Sequence, residues 1–312
     1  PIGVVTVAGM IVDGKAPAGT AGGDSIAEVI EKGLARDKLK ALVVRVDSPG
    51  GSVLASERIR QALLEAKRRN LPVVVSMGSV AASGGYWVST PADFIYAEPS
   101  TITGSIGVFG ILPSFEGTRA KLGLGADGVK TTPLSGEPDV LNGPSPEANQ
   151  LLQTSVESIY ARFLGIVAQS RKKTPQQIDQ IAQGRVWDGG TARQLGLLDG
   201  FGSMDEAIAK AAELAKLGDE RGVTYLERPL SFREQLLDML AQQERDEGAT
   251  PTDGFAFIAN GEVKLAQAMA ELRSVLTGPN IQVRCLECPG AAPVRVERKD
   301  IGFLSTIGEW LF

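Results

Sequence analysis

The sequence predicts an α/β fold in which parallel strands are covered by helices. Apolar segments of strand length, such as 42–46 and the one that begins at Val73, alternate with segments whose apolar residues have helical spacing. The strands are also apolar on both faces, which is typical of parallel strands buried between layers of helices. In such sheets ligands bind beyond the carboxyl ends of the strands, so the turns there are the candidate sites.

The first part of the chain supplies most of the predicted sheet. Its elements are a strand at 2–11 broken by glycines, a helix from Asp24 as its cap to about Leu34, a strand at 42–46, a helix at 53–69, a strand from Val73, a short helix after Ser83 and a strand at 94–97. The segment 99–111 is apolar, uncharged and punctuated by glycine. Such a segment is typical either of a core strand or of the wall of an apolar groove.

The second part is predominantly helical. A loop rich in Pro, Gly and Ser covers 131–146, and Ser145-Pro146 begins a helix to about residue 170. Capping boxes at Thr174 and Ser203 begin two more helices, the second ending near residue 216. A short strand at 223–226, helices near 232–245 and 261–276 and a polar linker at 246–254 follow. We expect an α/β domain over 1–216 and a mostly helical extension over 217–312.

Composition excludes several kinds of function. The 312 residues include no histidine, so a Ser-His-Asp triad and histidine-based metal sites are impossible within the chain. A catalytic serine would need another base, and a desolvated lysine is the usual substitute. The net charge of −5 gives no basic excess for nucleic acid. Cys285 and Cys288 form one C-x-x-C pair, which is half of a zinc site, so we expect a local disulfide or two thiols, no metal and no cofactor.

Two further features concern the membrane and the extent of the chain. Residues 71–92 carry no charge and are long enough to span a bilayer, but their serines, glycines and prolines favour a buried core segment. The chain begins at Pro1, without methionine, and enters a strand at once. We therefore expect it to be a piece of a longer protein.

Two glycine turns, 47–52 and 78–85, follow predicted strands and are candidates to meet at one site. The hydroxyl of Ser83 lies among residues with little or no side chain, so a substrate backbone can approach it. If a helix begins at Gly84, the free N–H groups of its first turn would lie beside that hydroxyl and could stabilise an oxyanion. The alternative is a packing junction in which the glycines only allow close approach.

The motifs Asp47–Ser52, Ala81–Tyr86 and Thr103–Gly107 stand in an order and spacing that resembles the bacterial signal peptide peptidase A family. Gly184–Gly189 and Gly196–Gly202 match the same family further along the chain. The resemblance covers roughly residues 1 to 230. The chain looks most like the C-terminal half of the long, tandem-repeat form.

This resemblance implies a spiral α/β core akin to the crotonase and Clp-protease superfamily, and a serine endopeptidase with a Ser-Lys dyad. It implies that Ser83 is the nucleophile and that Ser105 orients the lysine. The backbone N–H groups of Gly51 and Gly84 would form the oxyanion hole, and Gly50 would shape its turn.

The resemblance also implies an apolar groove lined by the segments around Val80, Tyr86 and 102–111, which would bind a hydrophobic peptide in extended form by backbone pairing. The expected substrates are cleaved signal peptides. The expected location is the periplasmic side of the bacterial cytoplasmic membrane, and neighbouring copies are expected to form a bowl-shaped ring.

The lysine is where the sequence departs from the family. In the single-repeat form it lies in the segment that corresponds to 133–138, which contains no lysine here. The nearest is Lys130, which we interpret as a solvated surface residue and only a fallback for the base. In the long form the N-terminal repeat supplies the lysine, so we expect this chain to depend on that repeat.

Two alternatives stand beside the peptidase. A crotonase-like acyl-CoA enzyme would share the fold, but Ser83 together with Ser105 speaks against it. A non-catalytic assembly repeat would be expected to lack Ser83. We interpret Ser48 and Ser52 as turn and cap residues.

Overall fold

The computed structural model describes residues 1–227 except 18, 37, 113, 126 and 219–221, together with 281–284. The strands are β1 (Ile2–Ala8), β2 (Ile11–Val12), β3 (Ala21–Gly22), β4 (Ala41–Ser48), β5 (Gly50–Ser52), β6 (Val73–Ala82), β7 (Phe94–Ala97), β8 (Ile102–Gly104), β9 (Phe109–Gly110), β10 (Val186–Asp188), β11 (Gly200–Phe201), β12 (Val223–Tyr225) and β13 (Ile281–Arg284). The helices are α1 (Gly23–Arg36), α2 (Val53–Arg68), α3 (Gly84–Ser89), α4 (Glu116–Lys121), α5 (Pro146–Arg171), α6 (Pro175–Asp179), α7 (Gly189–Gln194) and α8 (Met204–Leu214).

The larger sheet confirms the predicted fold class. Six of its eight strands run in the order β10-β8-β6-β4-β1-β12. The other two lie off this path: β7 pairs with β6, and β11 pairs with β7. Every pairing is parallel except that of β10 with β8. The central strand β6 is long enough to pair with two strands along the same edge. Its first half pairs with β7 and its second half with β8.

Helices cover both faces of this sheet, which is why its strands are apolar throughout. On one face α1, α2, α3 and α5 bury the main core, whose largest side chains include Trp87 and Phe163 with their ring centroids 4.7 Å apart. On the other face α8 lays Ala207 and Ala211 against Val43 and Val74. These layers leave the carboxyl ends of β4 and β6 adjacent at one edge.

A smaller sheet forms at that edge, in the order β3-β2-β5-β13-β9. Strand β2 pairs in parallel with β3 and β5. Strand β13 pairs antiparallel with β5 on one side and with β9 on the other. The smaller sheet therefore fixes the glycine turn that follows β4.

Most predicted helix starts are confirmed. Ser52 and Ser145 cap α2 and α5, and Thr174 and Ser203 form the predicted capping boxes. The predicted cap at Asp24 is wrong, because α1 already begins at Gly23. Asp24 lies in its first turn, where a negative charge still favours the positive end of the helix.

Several predictions fall outside the described residues. These are the helices near 232–245 and 261–276, the linker at 246–254 and the cysteine pair. The compact unit that contains the two sheets includes Pro1–Leu226, so β12 joins it beyond the expected boundary near 216. Within the described part of the chain, no helix is both long enough and apolar enough to span a membrane.

Candidate active site

Ser83 lies at a strained junction between strand and helix. Strand β6 ends at Ala82 and α3 begins at Gly84, as the sequence predicts. Ser83 has φ 55° and ψ −112°, and a positive φ is rare for a residue with a side chain. Its backbone is held on both sides, since its N–H donates to the carbonyl of Gly104 at 2.9 Å and its carbonyl accepts from the N–H of Trp87 at 2.8 Å. Such conformations cost about 1–3 kcal/mol and are concentrated at functional sites.

The hydroxyl of Ser83 is buried, and its Oγ has no hydrogen-bond partner among the described residues. A buried polar group without a partner costs about 1–3 kcal/mol, so native structures rarely contain one without a reason. An active-site nucleophile is one such reason.

The glycine turn packs against the beginning of α3. Gly50 has φ 97° and Gly51 has φ 150°, which side chains disfavour. A Cβ atom on Gly51 would lie 2.0 Å from the carbonyl oxygen of Ile11, so only glycine fits there. A Cβ atom on Gly84 would lie 3.1 Å from the Cα of Gly50 and 3.2 Å from the nitrogen of Gly51. The two predicted turns therefore meet, and both backbone nitrogens of the predicted oxyanion hole lie at this contact.

Ser105 follows strand β8 directly, just as Ser83 follows the neighbouring strand β6. In the parallel register of β6 and β8, Ala82 is opposite Gly104, so Ser83 and Ser105 each follow a paired residue at the same end of the sheet. Ser105 also has a positive φ of 49°, and its N–H donates to the carbonyl of Arg185 at 2.7 Å. It is buried. Its predicted role toward a lysine stays a prediction.

Lys130 has properties opposite to those of a general base. It is exposed, and its Nζ contacts the Oε1 of Glu137 at 2.9 Å. The hydrogen bond to Glu137 raises the pKa of Lys130 above its ordinary value, against a smaller opposing effect of desolvation. Lys130 is therefore protonated at neutral pH, whereas a base must be neutral to accept a proton.

An apolar cavity of about 490 Å³ adjoins Ser105 and is lined by Val108, Phe109 and, from α5, Val156 and Tyr160. The prediction that 102–111 lines a groove agrees with this placement. The prediction is wrong for Tyr86, which is fully buried and donates its hydroxyl to the carbonyl of Leu197 at 2.8 Å.

The groove prediction is also wrong for Val80. This residue is buried, and it packs with Ile102 and Val186 in a small cluster separate from the main core, so its side chain does not line the cavity beside Ser105.

A carboxylate behind α3 was not predicted. Glu57 of α2 accepts hydrogen bonds from the Nε1 of Trp87 at 2.8 Å and from Arg162 of α5 at 2.7 Å, so it joins three helices. Burial raises the pKa of Glu57, but these and neighbouring hydrogen bonds and arginine charges lower it more, and the net pKa lies below its ordinary value. Its partners are 30 and 105 residues away in sequence, so no local pattern could have indicated them.

An α/β protein with a strained, buried serine at a strand-to-helix turn beside a glycine turn has the features of an enzyme that uses a serine nucleophile and an oxyanion hole. Comparisons with known proteins agree with this class. Residues 65–218 match Peptidase family S49.

The chain is 51% identical over 216 residues to "Protease 4" of Salmonella typhi. The aligned region covers 69% of this chain and 35% of that protein. It is 31% identical over 223 residues to "Putative signal peptide peptidase SppA" of Enterococcus faecium, which covers 71% of this chain and 65% of that protein. A solved ClpP1 mutant from Listeria monocytogenes superimposes with a TM-score of 0.42 at 14% identity, over 65% of this chain and 93% of that chain.

The chain belongs to peptidase family S49, the signal peptide peptidase A family. It spans about a third of the length of the Protease 4 relative.

Proposed function

We propose that this chain carries the nucleophile of a serine endopeptidase that cleaves hydrophobic peptides, including signal peptides already released from their precursors. The observation that carries the proposal is the state of Ser83 at the meeting of two glycine turns. Its backbone is strained, and its buried hydroxyl has no hydrogen-bond partner among the described residues. Membership of family S49 supports peptide hydrolysis as the reaction.

In the proposed reaction, Ser83 Oγ forms a bond to the carbonyl carbon of the scissile peptide while its proton passes to a neutral lysine amine. The carbonyl oxygen becomes an oxyanion, which accepts hydrogen bonds from the N–H groups of Gly51 and Gly84. The C–N bond then breaks, and the departing amine takes the proton from the lysine. Water repeats the sequence on the resulting ester, so Ser83 is regenerated and the acid product is released.

The N-terminal repeat of the same protein supplies the lysine in this proposal. Three observations support it: Ser83 Oγ has no partner among the described residues, segment 133–138 has no lysine, and Lys130 is held as a cation by Glu137. The length of the Protease 4 relative leaves room for such a repeat. Ser105 would accept a hydrogen bond from the lysine and orient it toward Ser83.

The peptide substrate would bind as an extended strand between β5 and β9. The pairing of β13 with both strands supports this mode, because it demonstrates that backbone in this groove can bond on each side. A peptide would therefore displace β13. The apolar cavity beside Ser105 would take an apolar side chain of the substrate.

Assembly into a ring of copies would cover the apolar side chains that residues 111–141 expose. Phe115, Leu122, Leu124 and Val129 are each about half exposed or more. Clusters of exposed apolar residues mark interaction surfaces. We place the assembled enzyme on the periplasmic side of the bacterial cytoplasmic membrane, where released signal peptides are found.

A serine-directed fluorophosphonate probe tests the proposal. We expect Ser83 to be labelled when this chain is combined with the N-terminal repeat and not when the chain is alone, and Ser83→Ala serves as the control. Absence of labelling in a correctly folded assembly would refute the peptidase.

Supplying the base within the chain is a second test. Ser135→Lys places an amine in the segment where the single-repeat form carries its lysine, and we expect it to make the chain active alone. Ser135→Arg is the matched control, because a guanidinium keeps the charge but does not become neutral. Equal activity in both variants would mean that the amine introduced at position 135 does not act as the base.

A further inference from the structure

The hydroxyl of Ser48 joins the glycine turn to the end of β1. Ser48 is fully buried, and its Oγ donates to the carbonyl of Gly9 at 2.6 Å and accepts from the N–H of Gly50 at 3.1 Å. The N–H of Gly9 returns a bond to the carbonyl of Asp47 at 2.9 Å. The turn is thus held to β1 by two bonds that cross in opposite directions.

The turn needs such a restraint because two adjacent glycines form it. Their peptide units have wide rotational freedom, and rotation of the Gly50–Gly51 unit would turn the N–H of Gly51 away from an oxyanion. Ser48 accepts from the N–H of Gly50, which belongs to the preceding Pro49–Gly50 unit. This bond fixes the unit on which the Gly50–Gly51 unit would rotate. The carbonyl of Ile11 blocks Gly51 on the other side.

Ser48 also lies against the helix that carries the second donor. A Cβ atom on Gly85 would lie 2.7 Å from the carbonyl oxygen of Ser48. The same residue therefore contacts the glycine turn through its side chain and α3 through its backbone. A shift at Ser48 would change the separation of the Gly51 and Gly84 nitrogens.

We propose that Ser48 is a positioning residue for the oxyanion hole, a larger role than that of a simple turn residue. The inference rests on the proposed function. Removal of one oxyanion donor typically lowers kcat by about 10²–10³-fold, and a misplaced donor loses part of that. We therefore expect Ser48→Ala to lower kcat by about 10- to 100-fold with KM changed less than about twofold, since the hydroxyl does not contact the bound peptide.

Thr101 provides a matched control. Its buried Oγ1 makes the same kind of bridge, because it accepts from the N–H of Glu98 at 3.0 Å and donates to the carbonyl of Gly78 at 2.8 Å. Neither bond involves the turn 47–52, and Gly78 lies within β6, five residues before Ser83. Thr101→Val removes the bridge and keeps the volume, so it should lose stability as Ser48→Ala does and keep kcat.

The experiment measures kcat, KM and the affinity of a peptide aldehyde in the assembly that contains the N-terminal repeat. The aldehyde adds to the nucleophile and places an oxyanion in the hole, so its affinity should fall in parallel with kcat in Ser48→Ala. The affinity of a product peptide should not change. Should Ser48→Ala fail to fold, Ser48→Cys keeps the packing with a much weaker hydrogen-bonding group and should show the same loss.

A kcat within threefold of the parent in Ser48→Ala, or an equal loss in Thr101→Val, would overturn the inference. Failure of the proposed function would give a different result. In that case the parent assembly would neither cleave peptide nor be labelled at Ser83.

Discussion

Replacement of Gly84 by alanine tests the oxyanion hole most directly, because the structure defines what the added methyl group would meet. The Cβ atom would lie 2.6 Å from the Oγ of Ser56, about 0.8 Å closer than the 3.4 Å at which ordinary contact begins. It would also lie 3.1 Å from the Cα of Gly50 and 3.2 Å from the nitrogen of Gly51. These are two different contacts, one with a side chain and one with the backbone of the glycine turn.

The two contacts have different consequences. The hydroxyl of Ser56 is buried and donates to the carbonyl of Ser52, so crowding there strains the fold by about 1–3 kcal/mol, as overpacking does. Contact with the backbone of Gly51 moves a proposed donor away from α3. Loss of one donor costs about 3–4 kcal/mol of transition-state stabilisation, so we expect kcat in Gly84→Ala to fall by about 10²–10³-fold.

A double variant separates the two effects. Gly84→Ala with Ser56→Ala removes the closest contact and leaves those to the glycine turn. We expect urea unfolding to show that stability largely returns, while kcat in the assembled enzyme stays at least about tenfold below that of Ser56→Ala alone. A kcat of Gly84→Ala within threefold of the parent, at equal folded fraction, would refute the assignment of Gly84 to the oxyanion hole.

Three other predictions follow from separate regions. Gly165→Ala, inside α5 with nothing within 4 Å of the new Cβ, should raise the free energy of unfolding by about 0.5–1 kcal/mol in urea titrations without changing kcat; a loss of stability would contradict the described surroundings. Gln282→Pro removes a backbone N–H and should weaken the pairing of β13 in the groove, whereas Gln282→Ala keeps that N–H. Because β13 would then compete less with the substrate, KM for peptides should be up to about tenfold lower in Gln282→Pro than in Gln282→Ala. Equal KM values would mean that β13 does not compete with the substrate. Glu57→Gln should lower the free energy of unfolding at neutral pH, because a carboxylate whose pKa is lowered by folding contributes stability only while it is ionised. Urea titrations at several pH values should therefore show the difference from the parent shrinking as the pH falls below about 4.5. A difference that does not change with pH would contradict the lowered pKa.

Elements whose cause is local were predictable from the sequence. The apolar runs of β4 and β6, the capping residues of α2 and α5, and the change from strand to helix at Gly84 each depend on neighbouring residues. Their order then requires parallel strands, and the carboxyl ends of adjacent parallel strands meet at one edge. The contact between the two glycine turns was predictable for this reason.

Features that depend on distant partners were not predictable. Ser48 bonds to a residue 39 positions away, and Glu57 bonds to one 105 positions away, so neither role leaves a periodic pattern. The short strands β5, β10 and β11 have too few residues for alternation to be recognised. Tyr86 was misplaced because a short helix buried on all sides has no exposed face to define its orientation.

The conformation of Ser83 costs stability, and its proposed role as a nucleophile would explain that cost. Its backbone conformation and its unpaired hydroxyl each cost about 1–3 kcal/mol, and the hydroxyl makes no hydrogen bond to any described residue in return. The surrounding backbone bonds and the packing of α3 hold the residue in place despite this cost. This cost supports the proposal that the hydroxyl is retained for its reactivity. Because Lys130 is held as a cation by Glu137, it is unsuited to be the base of that proposal, and the lysine of the N-terminal repeat is the candidate that the proposal keeps.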